Sequence, residues 1–388
     1  MKSLRSLLTC LMLFSVFSAF AEEGFRLSHD PYLQNLGTDE VTIVWVANKP
    51  SVGWVELAPD GDESFYSEAW PRFFDTKNGI KRATKVHSVR ITGLKPGTRY
   101  RYRVYSQEVV EHTGYFVQYG AIAATNVYSK KPLSFKTNDY NKPDVSFAVV
   151  NDIHGNNRLL ENLLKQCDKE TTDLVFFNGD MISIADKEED YFNGFMDKAT
   201  QLFASEIPMY YVRGNHETRG SFATSFQDYF SPRVETIYQV FRQGPVCFVM
   251  LDCGEDKPDT DLEYYGITAY DEYRTEQAAW LKNILESPIY KDAPYKVILC
   301  HMPGIGDWHG ERDIAKKFIP LINNAAPDVM LSGHYHRYTR HEPNDKVSFP
   351  LIVNANNMLI KGEVKGNALT LTVYDQQGKM VDRFEIKK

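Results

Sequence analysis

A chain of 388 residues exceeds one ordinary core, so two domains, or one large domain plus a module, are expected. Its 43% hydrophobic and 24% charged content is ordinary for a soluble globular protein, and 13% aromatic residues favour strands. A net charge of −7 without a long basic run argues against nucleic acid as a partner. It leaves a small phosphorylated substrate open, because bound metals would reverse the local field.

Residues 1–21 read as a secretory leader. Lys2 and Arg5 supply the charge, Leu7 to Phe20 is a short apolar run, and Ala19-Phe20-Ala21 is a cleavage motif. The run is too short for a comfortable membrane span. The residues before Cys10 do not suit a lipid anchor. An exported protein, periplasmic or extracellular and without a membrane span after cleavage, is the expectation. Export permits disulfides, yet Cys167, Cys247, Cys253 and Cys300 include no C-x-x-C pair. Cys247 and Cys300 sit in apolar runs where buried thiols are expected, and no bridge is assigned.

Residues 26–138 show short alternating runs between turn residues, the pattern of a small β-sandwich. Val41–Val46 is one run and His87–Ile91 another. Tyr100-Arg101-Tyr102-Arg103-Val104-Tyr105 then alternates as a half-buried strand does. With Trp45 and the segment Leu94-x-Pro96-Gly97-Thr98-x-Tyr100-x-Tyr102, this stretch resembles a fibronectin type III domain. The resemblance implies a tyrosine corner at Tyr100. Asp30-Pro31-Tyr32-Leu33-Gln34 also resembles the start of the sandwich that precedes catalysis in purple-acid-phosphatase-like enzymes.

Beyond a polar linker at Asn138–Asp144, residues 144–388 change pattern. Apolar strand candidates at Val145–Val150, Leu174–Phe177, Met209–Val212, Val246–Leu251, Val297–Cys300 and Val329–Leu331 alternate with helical stretches. The helical stretches are Arg158–Cys167 and a long run ending near Ser205. An α/β domain with covered sheets is expected. Ala368–Tyr374 and Val381–Ile386 read as closing antiparallel strands.

Polar clusters follow directly on five of the apolar runs: Asn151-Asp152-Ile153-His154, Gly179-Asp180, Gly214-Asn215-His216-Glu217, His301, and Gly333-His334-Tyr335-His336. Ligands gather beyond the carboxyl ends of strands in α/β sheets, so the five segments can converge. Asp152 and His154, like His334 and His336, are two apart and would share a face of an extended backbone. Carboxylates, imidazoles and one amide without thiolate suit iron, manganese, zinc or similar ions. Small Gly179, Gly214 and Gly333 would let the backbone turn sharply beside them.

The ordered series D-x-H, G-D, G-N-H-E, H and G-H-x-H resembles the calcineurin-like metallophosphoesterases, over roughly residues 145–340. That family's fold is a β-sandwich flanked by helices. The resemblance implies two divalent or trivalent metal ions. Asp152, His154 and His336 would bind the first, Asn215, His301 and His334 the second, and Asp180 would bridge them. A hydroxide held between the metals would attack phosphorus, with His216 assisting the leaving group. Glu217 would orient His216 or cap a loop. A phosphomonoesterase is favoured. A phosphodiesterase or nucleotidase on the same centre, or a catalytically inert surface-binding protein, is the alternative.

The pattern also departs from its relatives. Ser183 stands where purple acid phosphatases carry a tyrosine ligand, so the tyrosinate and its colour should be absent. Met181-Ile182-Ser183-Ile184 lacks the arginine that follows Gly-Asp in protein Ser/Thr phosphatases. About 50 residues after His336 leave no room for the C-terminal domain of secreted 5′-nucleotidases. Arg213 reads as a structural salt-bridge partner. Trp308 and His309, in the loop after His301, would contact substrate or form an ordinary surface loop. Tyr264, Tyr265, Tyr270 and Tyr273 would pack, or form a lid. His29, His87, His112 and His341 fit no ligand pattern.

Overall fold

The structure, a computed structural model, describes residues 23–139, 142–230 and 235–388. The leader expected at residues 1–21 lies outside them. No helix among the described residues is long and apolar enough to cross a membrane.

The N-terminal part is all-β. Seven strands form one sheet, among them Leu27–Gln34, Glu40–Pro59, Ala83–Thr92, Arg99–Thr113 and Phe116–Ala124. The run expected at Val41–Val46 continues through Pro50 to Pro59, which the sequence did not suggest. A register shift between Val46 and Ser51 makes this possible. Beyond it the strand still pairs with Ala83–Thr92 at Ser51 and Val52, and from Ser51 onward it also runs beside Arg99–Thr113. Leu33, Ile43, Trp45, Val55, Val89, Tyr102 and Val104 form the core. The Trp45 indole donates to Ser106 Oγ at 2.9 Å. The Lys95 N–H donates to the Tyr100 hydroxyl at 2.9 Å, which is the tie a tyrosine corner makes.

The rest is built on two six-stranded sheets. In the first, Val145–Val150, Leu174–Asn178 and Met209–Val212 are parallel neighbours. Met358–Lys365, Ala368–Asp375 and Met380–Lys387 extend that sheet antiparallel, as closing strands. In the second, Val246–Leu251, Tyr295–Cys300, Val329–Ser332 and Leu351–Val353 run parallel. Phe147, Val149, Phe176 and Tyr210 of one sheet pack on Phe248, Met250, Val297 and Leu331 of the other. Helices cover the outer faces. Leu160 and Leu163 of Asn157–Leu164 cover one sheet, and Leu281 and Leu285 of Tyr270–Glu286, with Ile314, cover the other. This is the flanked β-sandwich that the resemblance implied.

The long helix expected to end near Ser205 is segmented. Glu188–Tyr191 and Asp197–Ala199 are α-helical, whereas Phe192–Met196 and Thr200–Ala204 are π-helical. Phe192, Phe195, Met196, Phe203 and Ala204 all lie in the buried layer. Tyr32, Val44 and Val46 of the N-terminal sheet enter the same core. The Tyr32 hydroxyl donates to Tyr229 O at 2.7 Å and the Tyr102 hydroxyl to Ser205 O at 2.6 Å.

Tyr270 and Tyr273 sit on Tyr270–Glu286, and the Tyr273 hydroxyl donates to Asp252 Oδ2 at 2.8 Å. Tyr265 is exposed. Arg213 Nη2 pairs with Asp252 Oδ2 at 2.7 Å. Cys167, Cys247, Cys253 and Cys300 are free thiols.

Candidate metal centre

Each of the five polar segments begins where a strand of the two sheets ends, so the topology brings them to one edge of the sandwich. His336 Nε2 lies 3.1 Å from Asp152 Oδ1 and 3.2 Å from His154 Nε2. His301 Nε2 lies 3.0 Å from Asp180 Oδ2 and 3.8 Å from Asp152 Oδ1. Three groups result, each with its donor atoms within 4.8 Å of one another: Asp152–His154–His336, His154–Asp180–His216 and Asp180–His301–His334. Asp180 belongs to two of them, and Asn215 is buried beside His216.

The backbone does not place these residues as the spacing suggested. Asp152, His154, Asp180, His334 and His336 all have positive φ, from 47° to 73°. They are five of the nine non-glycine residues that do so among the described residues, which concentrates backbone strain at this edge. Asp152 and His154 therefore converge through left-handed turns rather than by alternation along a strand. The glycine expectation changes too, since Gly179 has positive φ but Gly214 and Gly333 do not. Those two provide space instead. A Cβ would stand 2.3 Å from Asp180 Oδ1 at Gly214, and 2.6 Å from Asp152 Oδ2 at Gly333.

Hydrogen bonds orient the donor atoms. Asp152 Oδ2 accepts from His334 N–H at 3.0 Å and Asn151 Nδ2 at 2.5 Å, which leaves Oδ1 toward the histidines. His301 Nδ1 donates to Asn178 O at 2.7 Å, so Nε2 faces the carboxylates. Asp180 Oδ1 accepts from His216 N–H at 3.0 Å. Asn215 Nδ2 is 3.5 Å from Asp256 Oδ2, which turns Oδ1 the other way. Asp152 Oδ1, Asn215 Oδ1 and His301 Nε2 are buried and have no hydrogen-bond partner. Orphaned polar atoms of this kind are costly unless something else satisfies them.

The electrostatics call for positive charge. Burial works against charging His301, but Asp180 and Asp152 overcome it and push its imidazole up to about 10. Burial, reinforced by His301, pushes His334 down to about 4. Asp180 is held well below the usual carboxylate range, because His301 outweighs the opposing effect of burial. A proton on His301 thus balances only one of two buried carboxylates, and the other, Asp152, also raises His336, whose Nε2 it faces. The orphaned oxygens, the available imidazole nitrogens and this unbalanced charge fit two metal ions.

His216 is held differently. Its Nδ1 donates to Ser183 O at 2.8 Å, and its Nε2 lies 4.0 Å from Asp180 Oδ2. Glu217 does not contact that ring. Its carboxylate accepts from the N–H groups of Gly214 at 2.8 Å, Asp180 at 2.9 Å and Ile182 at 3.2 Å, which fastens two ligand loops together. Ser183 Oγ is 3.4 Å from His154 Nδ1. His309 Nε2 is engaged by Asp271 at 2.8 Å, while Trp308 is 53% exposed.

The sequence reading missed Arg219. Its Nη1 stands 3.3 Å from His216 Nε2, and its guanidinium pairs with Glu255 at 2.8 Å and Asp256 at 3.2 Å. The available signal was its place three residues after His216, on the turn Asn215 begins.

Residues 145–338 match the family described as Calcineurin-like phosphoesterase, and residues 30–137 match Purple acid Phosphatase, N-terminal domain. Purple acid phosphatase 21 of Arabidopsis thaliana is 28% identical over 276 residues, covering 67% of this chain and 54% of that protein. Purple acid phosphatase 15 of the same plant is 26% identical over 312 residues, covering 72% and 53%. The chain thus spans about half the length of these curated relatives. The solved structure of purple acid phosphatase PPD1 from yellow lupin (Lupinus luteus) seeds shares the fold, with a TM-score of 0.64 at 16% identity over 92% of this chain and 74% of that one. The chain belongs to the calcineurin-like phosphoesterase family.

Proposed function

We propose that the protein is an exported dinuclear metal-dependent phosphoester hydrolase acting on phosphomonoesters. The observation that carries this reading is the convergence of the orphaned, buried Asp152 Oδ1 and His301 Nε2 with Asp180, beside the orphaned Asn215 Oδ1 on the residue before His216, whose N–H donates to Asp180. In it, Asp152, His154 and His336 would hold one ion, Asn215, His301 and His334 would hold the other, and Asp180 would serve both. When bound, the ions would supply Lewis-acid charge to the phosphoryl oxygens and acidify water. The chain's own residues do the rest. Asp152 and His301 are pre-oriented by their second hydrogen bonds, so little reorganisation is needed on loading. His216 is anchored by Ser183 O with Nε2 toward the site, from which it would give a proton to the leaving oxygen. Glu217 keeps the Asp180 and Asn215 loops in register.

Metal analysis of the purified protein, with hydrolysis of a panel of phosphomonoesters, phosphodiesters and nucleotides, tests the reading. Two transition-metal ions per chain and chelator-sensitive, metal-restorable monoester hydrolysis are expected. Absence of both would favour an inert binding protein. Amino-terminal sequencing of the secreted product, expected to begin at Glu22, tests export.

A further inference from the structure

We propose that the His216 side of the site accepts the leaving group of a phosphomonoester whose alcohol is uncharged and apolar, and that it disfavours polyanionic leaving groups. The proposal rests on the phosphoester-hydrolase reading and deepens it.

The first observation is an apolar rim. Ile184 follows Ser183, whose carbonyl anchors His216, and it is 45% exposed. On the other side, Arg219 links His216 to Asp256, and Asp256 O accepts from Gly310 N–H at 2.9 Å. Trp308, two residues before Gly310, is 53% exposed, and Ile305 in the same loop is 38% exposed. A Cβ on Gly306 would stand 2.4 Å from the hydroxyl of Tyr335, which lies between His334 and His336. Isolated exposed apolar residues need no explanation, but these three stand on loops fastened to His216, His301 and the His334–His336 turn.

The second observation is charge. Arg219, the cation nearest His216, is already taken by Glu255 and Asp256, whose side chains are only 1% and 9% exposed. A ligand cannot reach those carboxylates, and the guanidinium, its side chain 21% exposed, already has its charge matched by them. On the segments that follow Ser183 and precede Trp308, Asp186, Glu189 and Asp307 are exposed, as is Lys187, and Lys257 is paired with Glu263. The exposed Arg158 and Arg337 follow His154 and His336, so positive charge accompanies the histidine pair and negative charge the His216 flank. A leaving group with further phosphates would meet like charge there, whereas an aromatic or aliphatic alcohol would cover Trp308 and Ile184.

The test uses the metal-loaded full chain with 1-naphthyl phosphate, glycerol 2-phosphate, choline phosphate and ATP. We expect kcat/KM for naphthyl phosphate to exceed that for ATP by about tenfold or more. Trp308→Ala and Ile184→Ser should each lower the naphthyl-to-glycerol ratio of kcat/KM by roughly three- to tenfold. ATP turned over as well as naphthyl phosphate, or an unchanged ratio in both variants, would overturn the proposal. So would choline phosphate surpassing naphthyl phosphate, which would reassign the flank to cationic alcohols. Calorimetric titration with 1-naphthylmethylphosphonate and inorganic phosphate separates this proposal from the hydrolase reading. With no ester hydrolysed but the phosphonate bound about tenfold more tightly than phosphate, and less so in Trp308→Ala, the hydrolase reading fails and the apolar flank stands. Equal or absent binding sinks the flank.

Discussion

His216 Nδ1 and the carbonyl of Ser183 are 2.8 Å apart, so the candidate acid is fixed by the backbone of the residue standing at the tyrosine position of purple enzymes. Only the carbonyl is used, so the side chain there is free to vary while the histidine stays in place. His216→Gln should lower kcat for alkyl phosphates by about 10²- to 10⁴-fold, and less for p-nitrophenyl phosphate, whose leaving group needs no proton. Metal content should not change. Equal losses on both ester types would remove His216 from the acid role.

The side chain of Ser183 makes a separate point. Its hydroxyl, 3.4 Å from His154 Nδ1, brings no phenolate to the centre. The metal-loaded protein, iron-loaded included, should therefore lack an intense visible charge-transfer band, and Ser183→Tyr is the substitution that could introduce one. Absorption spectra of both proteins decide this.

Glu217 is predicted to matter for stability before chemistry. Glu217→Ala leaves three buried N–H groups without an acceptor, those of Gly214, Asp180 and Ile182. A loss of about 3 kcal/mol or more is expected from the denaturation midpoint of metal-free protein. A change within about 0.5 kcal/mol would mean the loops hold without it.

His87 supplies a pH dependence remote from the metals. It is fully buried between Ser51 Oγ at 2.8 Å and Asp75 Oδ2 at 3.1 Å, and burial lowers its pKa despite Asp75. A lowered histidine binds fewer protons folded than unfolded. Its contribution is therefore fully present above the unfolded value near 6.5 and is lost as pH falls from there through the folded value. Urea unfolding at pH 7.5 and pH 5 should show a smaller pH difference for His87→Gln than for the parent chain. An equal difference would place the dependence elsewhere.

What could be read in advance followed from chemistry that sits directly after apolar runs. Asp152, Asp180, Asn215, His301 and His334 each lie within a few residues of a strand end, and strand ends of parallel sheets share an edge. Tyr100 was readable for a similar reason, because its partner Lys95 is only five residues away. The left-handed backbone at Asp152 and His336 was not readable, because strain of that kind is imposed by tertiary contacts that residue types do not encode. Arg219, Glu255 and Asp256 were missed because the arginine and its acids come from loops 36 and 37 residues apart. His309 showed as a loop histidine, and its capture by Asp271 depends on how two helices meet.

Tyr32, Val44 and Val46 share a core with Phe192 and Tyr229, and this bears on how the protein is inherited as well as how it unfolds. A boundary visible in the sequence is not a seam in the solid. Cutting at Asn138 would strip one side of the π-helical layer of its covering and expose Tyr102's acceptor at Ser205. The sandwich therefore behaves as part of the wall around the α/β half, not as cargo that can be exchanged for another module. Substitutions on its inner face should be constrained alongside those around Phe192.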